Sequence, residues 1–318
     1  MAPDEAGLLR ARISAVHRTR LTATSESGQI RLSLPARAST AGFAVGDWVL
    51  ADAETHLLHR RLERRTLISR RLEGSPVPQL TGANVDTLFI VTSCNADFNP
   101  ARLERYLALA NEAGTEPVMV LTKADTVDDA DEFVRQAASL QRGLVVLTLN
   151  ARSPEAAEAL APWCGSGRTV ALIGSSGVGK STLLNTLAGP GQVRPQETGA
   201  IREHDAKGRH TTTSRSLHAI AAGGWVIDSP GMRTLHLSDS ESGIDTLFAE
   251  ITELAPHCRF RDCTHNHEPG CAVLAAAADG RLDPDRLARW RKLRDENREN
   301  TPVANPRAAS PAGRRRKR

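Results

Sequence analysis

The chain has 318 residues, of which 40% are hydrophobic, 25% are charged and only 3% are aromatic. These proportions exclude a wholly disordered chain, and the length predicts two or three domains. No apolar run approaches the ~20 residues of a membrane span, and the N-terminus lacks a basic region followed by an apolar stretch, so we expect a cytoplasmic protein. The net charge of +4 is compatible with a nucleic-acid partner but does not establish one.

Short apolar stretches alternate with Gly and Ser turns over residues 1–73, as in RLTATSESGQIRLSLP and VGDWVLAD. This pattern predicts a small β-barrel of the OB-fold type, although any β-meander would show the same periodicity. Six arginines lie within residues 59–71, and the chain ends in RRRKR. Each of these basic stretches is either a solvated surface or a contact for a polyanion.

Residues 74–238 alternate between apolar strand patterns and helix patterns, which predicts a mainly parallel α/β sheet with helices on both faces. The strands are predicted over 87–93, 117–125, 144–150, 169–177 and 225–231, and the helices over 100–114, 129–143 and from Lys180 onward. Residues 239–300 form a mostly helical third region, with helices predicted over 244–254, 271–280 and 283–300. Residues 301–318 have no periodicity, and we predict a disordered basic tail.

The segment GSSGVGKS at 174–181 fits the pattern G-x-x-x-x-G-K-[ST] and lies between an apolar strand and a helix. Its glycines allow backbone N–H groups to turn toward phosphate oxygens, and Lys180 supplies a positive charge for the β- and γ-phosphates. The Ser181 hydroxyl can coordinate Mg²⁺. The predicted nucleotide-binding residues of this loop are Gly174, Ser175, Ser176, Gly177, Val178, Gly179, Lys180, Ser181 and Thr182.

Two later segments are predicted to lie at the γ-phosphate. Asp228 of DSPG ends an apolar strand and can hold Mg²⁺ through water, and the Gly231 N–H can meet the γ-phosphate. The threonine-rich segment GRHTTT (208–213) lies between the loop and DSPG, and a hydroxyl there, which we assign to Thr212, can complete the Mg²⁺ shell. We therefore expect these segments to respond to the γ-phosphate.

Met232 follows Gly231, at the position where many GTPases with a D-x-x-G segment have the glutamine that orients the attacking water. Because Met can neither accept nor orient a proton, we expect slow intrinsic hydrolysis. His210 is the best local candidate for positioning water. The alternative is that His210 is a solvent-exposed residue or contacts a partner.

The segment TKAD (122–125) ends an apolar strand and fits a guanine-recognition pattern. The Asp125 carboxylate can accept from N1 and N2 of guanine, a donor pair that adenine lacks, and the Lys123 stem can pack over the base. Thr122 replaces the more usual Asn, so we expect one amide link between the base loop and the phosphate loop to be absent and the nucleotide to bind more weakly. A backbone N–H near Ala151 can contact the guanine O6.

The order of these motifs is unusual, because TKAD precedes the phosphate loop by about fifty residues instead of following it. A parallel sheet can be cut and rejoined without changing which strand ends meet at the nucleotide. The sequence therefore predicts a circularly permuted GTPase domain.

The segment HCRFRDCTHNHEPGC carries a metal-binding pattern. The four candidate ligands are Cys258, Cys263, His265 and Cys271. Three thiolates and one imidazole would fill the tetrahedral shell of a structural Zn²⁺ and leave no open position. His257 and His267 lie beside them and could compete as ligands, whereas Cys94 and Cys164 lie far away in the sequence. A disulfide would leave one cysteine unpaired in a reducing compartment, which favours zinc.

The barrel, the permuted order of TKAD, GSSGVGKS, GRHTTT and DSPG, and the cysteine–histidine segment together resemble the RsgA family, bacterial GTPases that depend on the small ribosomal subunit. Residues 83–110 are also similar to that family. The resemblance implies an N-terminal OB-fold, GTP hydrolysis stimulated by the small subunit and a role in its late maturation. It also implies that His210 is catalytic and that zinc binds the four ligands named above. The departures are small: DSPG replaces DTPG, and Asn-Ala replaces Ser-Ala at 150–151.

We therefore predict a monomeric GTPase that uses Mg²⁺ with GTP, holds one structural Zn²⁺, and has the small ribosomal subunit and its rRNA, but no membrane, as partners. Two alternatives remain: an RNA-binding assembly scaffold for which GTP is only a structural ligand, and a P-loop ATPase that acts on RNA. Turnover that small subunits do not accelerate would indicate the scaffold. Equal binding of ATP and GTP would indicate the ATPase.

Overall fold

A computed structural model describes residues 7–71, 77–189, 215–228 and 237–301, and the elements below are those of these ranges. The first five strands are β1 (Leu8–Val16), β2 (Leu21–Ser25), β3 (Gly28–Leu32), β4 (Trp48–Asp52) and β5 (Leu58–Arg61). β1 pairs antiparallel with β2 and β4, β2 with β3, and β4 with β5. A parallel bridge between Ser33 and Leu57 closes the ring. The predicted β-barrel of the OB type is confirmed, and its five strands surround a core of Ala, Ile, Leu and Val side chains.

A two-stranded sheet of β6 (Leu67–Arg70) and β7 (Gln79–Ala83) follows the barrel. The α/β region then contains β8 (Thr87–Ser93), α1 (Pro100–Glu112), β9 (Glu116–Thr122), α2 (Ala130–Ala138), β10 (Val145–Leu149), α3 (Glu155–Cys164), β11 (Thr169–Ile173), α4 (Lys180–Ala188), β12 (Ser216–Ala219) and β13 (Trp225–Asp228). Its strands run in the order β10-β9-β8-β11-β13-β12, and all but β12 are parallel to their neighbours. Side chains of α1 and α2 pack on one face and those of α3 and α4 on the other.

The carboxyl ends of the parallel strands meet at one edge of this sheet. Thr122 of β9 pairs with Leu149 of β10 on one side and with Ser93 of β8 on the other. On the far side of β8, Asp228 at the end of β13 pairs with Leu172 of β11. Since ligands of open α/β sheets bind outside the carboxyl ends of the strands, this edge is where a nucleotide site is expected.

The barrel is joined to the sheet through β12 and through the first residue of β11. Ala15 of β1 pairs with Ser216 of β12, which makes one continuous sheet. The Arg12 guanidinium donates to Thr169 Oγ1 over 2.7 Å and to the Asn84 carbonyl over 3.3 Å. Burial lowers the pKa of Arg12 to about 10. The negative charge of Asp86 raises this pKa and so offsets part of the decrease. A buried cation therefore fastens the barrel to the first residue of the strand that leads into the phosphate loop.

The C-terminal region contains α5 (Glu241–Leu247), α6 (Ala249–Leu254), α7 (Ala272–Ala278) and α8 (Pro284–Asn300). The prediction of one helix over 244–254 is wrong, because the chain breaks at Phe248, whose backbone has φ −109° and ψ 46°. The Phe248 ring is fully buried beneath the Arg286 guanidinium, 4.0 Å from the ring centroid. The break lets this ring point into the core.

No helix within the described ranges is both long and apolar enough to cross a bilayer.

Most of the basic stretch at 59–71 is engaged in contacts within the chain. Arg64 donates to both carboxylate oxygens of Asp47 over 2.6 and 2.7 Å, and Asp47 is fully buried. Arg65 pairs with Asp86 and Arg71 with Asp239. Contacts within the chain therefore engage these three arginines, and the role of the stretch toward a polyanion stays a prediction.

Candidate nucleotide-binding site and metal centre

The phosphate loop leaves β11 at Ile173 and enters α4 at Lys180. Gly174, Gly177 and Gly179 have φ values of 151°, 82° and 98°, a region that side chains disfavour. A Cβ on Gly174 would collide with the carbonyl oxygen of Val91. Val178 is fully buried and anchors the loop in the core. The backbone path of the loop therefore favours glycine at these three positions.

A hydrogen bond holds the Lys180 side chain at this loop. Its Nζ donates to the Ser175 carbonyl, so the ammonium group lies against the loop. Tyr106 of α1, which is 1% exposed, was not among the predicted site residues. Burial raises the pKa of Tyr106, while the charge of Arg102 opposes that rise.

The base segment is held against the phosphate loop by Thr122. Thr122 Oγ1 lies 2.7 Å from the Val178 carbonyl oxygen and 3.2 Å from that of Thr92, and the residue is 1% exposed. Thr122 carries no amide, as the expectation stated, and the weaker binding of the nucleotide stays a prediction. A hydroxyl makes the link.

The rest of the base segment turns sharply at the edge of the sheet. Lys123 has φ 57°, and a 3₁₀ turn follows over Ala124–Thr126. Asn150 Nδ2 donates to Asp125 Oδ2 over 3.3 Å, which brings the LNARS segment beside the base segment. The Ala151 carbonyl in turn accepts from the Thr186 hydroxyl of α4 over 2.8 Å. Three segments far apart in sequence thus converge, and the structure brings TKAD, LNARS and the phosphate loop together as predicted.

Asp228 lies at the same edge, as the last residue of β13. Ser216 is its partner on β12, and Ser216 Oγ lies 2.7 Å from His218 Nε2. Burial lowers the pKa of His218, and the negative charge of Asp228 offsets part of this decrease. The predicted residues Thr212, His210 and Gly231 lie outside the described residues, as does Met232.

The four predicted metal ligands come together. One ligand atom from each of Cys258, Cys263, His265 and Cys271 lies within 4.8 Å of the others. His265 Nδ1 lies 3.5 Å from Cys258 Sγ and 3.3 Å from Cys271 Sγ, and the two sulfurs are 3.8 Å apart. A tetrahedron with metal–sulfur distances of about 2.3 Å and metal–nitrogen distances of about 2.0 Å has edges of about 3.5–3.8 Å. The spacing of these donor atoms therefore suits one metal ion with tetrahedral coordination.

The competing histidines His257 and His267 are exposed and stand outside this group. Cys94 and Cys164 are buried elsewhere, and burial raises the pKa of Cys164 to about 12. Cys164 is therefore an unreactive core residue.

Glu268 braces the loop that carries the ligands. It accepts from the backbone N–H groups of Thr264 over 2.9 Å, Asn266 over 3.1 Å and His267 over 3.2 Å. The Thr264 hydroxyl, followed by the Thr264 and His267 N–H groups, holds the pKa of Glu268 well below its ordinary value. Arg291 of α8 donates to the His265 carbonyl. Such outer contacts orient metal ligands before the ion binds.

Known proteins that are similar to this chain show which family it belongs to. Residues 61–238 match the family RsgA GTPase. The chain belongs to the RsgA GTPase family. A relative from Mesorhizobium japonicum, "Small ribosomal subunit biogenesis GTPase RsgA", is 69% identical over 317 residues, which cover 99% of this chain and 92% of the relative. "Small ribosomal subunit biogenesis GTPase RsgA 2" of Vibrio parahaemolyticus is 49% identical over 302 residues, 94% of this chain and 83% of that protein.

Two solved structures share the fold of this RsgA GTPase chain. YjeQ from Thermotoga maritima is 27% identical with a TM-score of 0.67, over 91% of this chain and 98% of that one. YloQ, described as a circularly permuted GTPase, is 23% identical with a TM-score of 0.64, over 95% of this chain and 99% of that one. The permuted order inferred from the position of TKAD is confirmed.

Proposed function

We propose that this protein hydrolyses GTP to GDP and phosphate when it is bound to the small ribosomal subunit, and that this activity assists late maturation of that subunit. The observation that carries the proposal is the 2.7 Å contact between Thr122 Oγ1 and the Val178 carbonyl. It joins a guanine-recognition segment to a phosphate loop, so one ligand can engage both. The names of the relatives from Mesorhizobium and Vibrio support the ribosomal partner.

In this proposal the loop residues 174–182 surround the phosphates, and Ser181 and Asp228 hold Mg²⁺ directly or through water. Asp125 and Lys123 bind the guanine, while Thr122 holds their segment in place. The Mg²⁺, when bound, would supply positive charge that offsets the charge of the phosphates. Thr212 and Gly231 meet the γ-phosphate, and His210 positions the water. The oxygen of that water bonds to the γ-phosphorus as the bond from phosphorus to the β–γ bridging oxygen breaks, and the water gives up a proton, which leaves with the phosphate or to solvent.

The identity of the ion at the cysteine–histidine centre is also a proposal. Three sulfurs and one imidazole nitrogen at tetrahedral spacing fit Zn²⁺ with all positions filled, which supports a structural ion.

We assign the protein to the cytoplasm as a monomer, with domains at 1–73, 74–238 and 239–300 and a basic tail at 301–318. Contact with rRNA would be dominated by phosphate charges and would weaken as salt rises.

The deciding experiment measures GTP hydrolysis with and without purified small ribosomal subunits, with large subunits as the matched control and ATP as the competing nucleotide. We expect hydrolysis that only the small subunit accelerates and that excess ATP does not inhibit. An equal rate with and without small subunits would favour an assembly scaffold, and inhibition by ATP would favour an ATPase.

Two variants test the assigned roles. His210→Ala should keep GTP binding and lose most of the stimulated turnover; an unchanged rate would move His210 to a surface role. Lys180→Ala should abolish nucleotide binding, because the loop loses its phosphate charge. Binding of GTP at the unchanged affinity would contradict the assignment of the loop.

A further inference from the structure

The segment that follows β10 carries the backbone N–H expected at the guanine O6, and hydrogen bonds hold this segment in a turn. The Asn150 side-chain oxygen accepts from the Arg152 N–H over 3.0 Å, and the Asn150 carbonyl accepts from the Ser153 N–H over 2.9 Å. Asparagine favours such turns because its side chain can bond to the backbone two residues on. Ala151, at the centre of the turn, is only 7% exposed.

Helix α4 holds this turn through the side chain of Thr186. Thr186 Oγ1 donates to the Ala151 carbonyl over 2.8 Å, although 35 positions separate the two residues. The Thr182 carbonyl, one helical turn earlier, lies farther from the same hydroxyl, at 3.1 Å. A threonine inside a helix often bonds only to the carbonyl four residues before it. The shorter contact with Ala151 therefore joins α4 to the turn and is not part of the helix itself.

The same turn lies close to the end of the phosphate loop. A Cβ on Gly179 would lie 3.6 Å from the Ala151 Cβ and 3.7 Å from the Thr122 side chain. Gly179 immediately precedes Lys180, the first residue of α4. Ala151 is thus enclosed between the start of α4 and the Thr186 hydroxyl farther along that helix.

Anchors on both sides of Ala151 limit the direction of its N–H. On one side, Asn150 Nδ2 donates to Asp125 Oδ2 over 3.3 Å. On the other side, the Thr186 hydroxyl holds the carbonyl that belongs to the next peptide unit. Because peptide units are planar, fixing the units around a residue leaves few rotations for the N–H between them. Loss of the Thr186 hydroxyl would release one of these two anchors.

We propose that Thr186 is a positioning residue that holds the Ala151 N–H toward the guanine O6 and so contributes to the selection of guanine. Adenine carries an amino donor where guanine carries the O6 acceptor, so a correctly directed N–H discriminates between the two bases. This inference rests on the proposed function and adds to it a residue outside all the sequence motifs. Thr186 acts through the Ala151 backbone and does not itself touch the nucleotide.

The test compares GDP with 6-thio-GDP, each bound to the full chain in competition with a fluorescent GDP. The analogue keeps both phosphates and the two N–H groups from which Asp125 would accept. At position 6 it carries a sulfur, which accepts hydrogen bonds weakly. The ratio of the two Kd values therefore reports on the hydrogen bond to O6, and we expect the wild type to prefer GDP.

Thr186→Val keeps the branched shape of the side chain and removes its hydroxyl. We expect GDP binding to weaken about two- to tenfold, the effect of one lost hydrogen bond, and the preference for GDP over 6-thio-GDP to fall by a similar factor. Thr186→Ser keeps the hydroxyl and should keep the preference. Should Thr186→Val fail to fold, as judged by circular dichroism, Thr186→Ala removes the same hydroxyl without placing a methyl group against the Ala151 carbonyl and replaces it.

Thr252→Val is the matched control. The Thr252 hydroxyl also lies near two carbonyls, that of Phe248 four residues earlier at 3.3 Å and the more distant one of Asp245 at 3.2 Å. Its removal from α6 should change the affinity for neither nucleotide. A loss of GDP preference in this control equal to that in Thr186→Val would overturn the inference.

The remaining outcomes separate the inference from the function. A wild-type chain that binds neither GDP nor GTP would overturn the proposed function itself. If the wild type binds both, equal affinities for GDP and 6-thio-GDP would overturn the inference alone, because O6 would then receive no hydrogen bond. Thr186→Val would also contradict it by weakening both nucleotides equally or by weakening neither, since the hydroxyl would then not act on the contact with O6.

Discussion

The Thr122 hydroxyl and the Val178 carbonyl lie 2.7 Å apart, although 56 positions separate them in the chain. Thr122→Val keeps the shape of the side chain and removes this hydrogen bond, so the base segment would lose its fixed position against the phosphate loop. We expect the Kd for GDP to rise about two- to tenfold, as measured by fluorescence titration.

Thr81→Val is the matched control for this prediction. The Thr81 hydroxyl is buried and has no hydrogen-bond partner within the described part of the chain. Its removal should leave GDP binding unchanged. Equal Kd values for wild type and Thr122→Val would show that the two loops hold their positions without this hydroxyl.

Asp125 is expected to decide which purine binds. Its carboxylate would accept from two guanine N–H groups, and charge-assisted hydrogen bonds contribute about 1.5–3 kcal/mol each. Asp125→Asn should therefore weaken GDP binding by about 100-fold or more. Xanthosine diphosphate carries a carbonyl oxygen in place of the guanine amino group, so it should bind the variant better than the wild type.

Asp128→Asn makes the same change in charge at an exposed position three residues on. It should leave the preference for GDP over xanthosine diphosphate unchanged. If Asp125→Asn keeps that preference as well, guanine is recognised by other groups.

Much of this site could be predicted from local sequence. The phosphate loop, TKAD and the cysteine–histidine segment each lie within a short stretch, because a turn, a strand end or a metal shell needs closely spaced residues. Parallel strands then bring their carboxyl ends to one edge, which places Asp125 beside the loop without knowledge of the tertiary contacts.

The contacts that could not be predicted are those between elements. The Thr122 link requires β9 and β11 to flank β8. The break at Phe248 depends on a ring packed beneath Arg286. Similarly, periodicity cannot show that Arg64 of the basic stretch has a buried carboxylate partner.

Arg64 should contribute to stability. It is 13% exposed and pairs with both oxygens of the fully buried Asp47, and removal of one partner of a buried pair costs about 3–5 kcal/mol. Arg64→Ala should lower the free energy of unfolding by about 3 kcal/mol in a urea titration. The control Arg61→Ala removes an exposed guanidinium that contacts the Leu62 carbonyl and should change that free energy by less than about 0.5 kcal/mol. Equal stabilities of the two variants would mean that the pair with Asp47 contributes little.

Metal removal should loosen the C-terminal region. Cys271 is both a candidate ligand and the N-cap of α7, where its sulfur accepts from the Leu274 N–H. We expect one zinc per chain by elemental analysis, and a lower melting temperature with less helical circular dichroism after chelation. Cys263→Ser should reproduce both losses, whereas Cys94→Ala should keep one zinc per chain. A chelated protein that melts at the original temperature would show that the ion does not stabilise this region.

Gly174 should tolerate no side chain. Its φ of 151° disfavours other residues, and a Cβ there would collide with the Val91 carbonyl of β8. Gly174→Ala must therefore displace the loop, and we expect loss of measurable GDP binding together with a lower melting temperature. Gly167→Ala is the matched control, because Gly167 also has a positive φ of 78° but open space around its Cβ position. That variant should lose about 1–2 kcal/mol of stability through backbone strain alone and keep its affinity for GDP. Undiminished GDP binding by Gly174→Ala would show that the loop can follow another path.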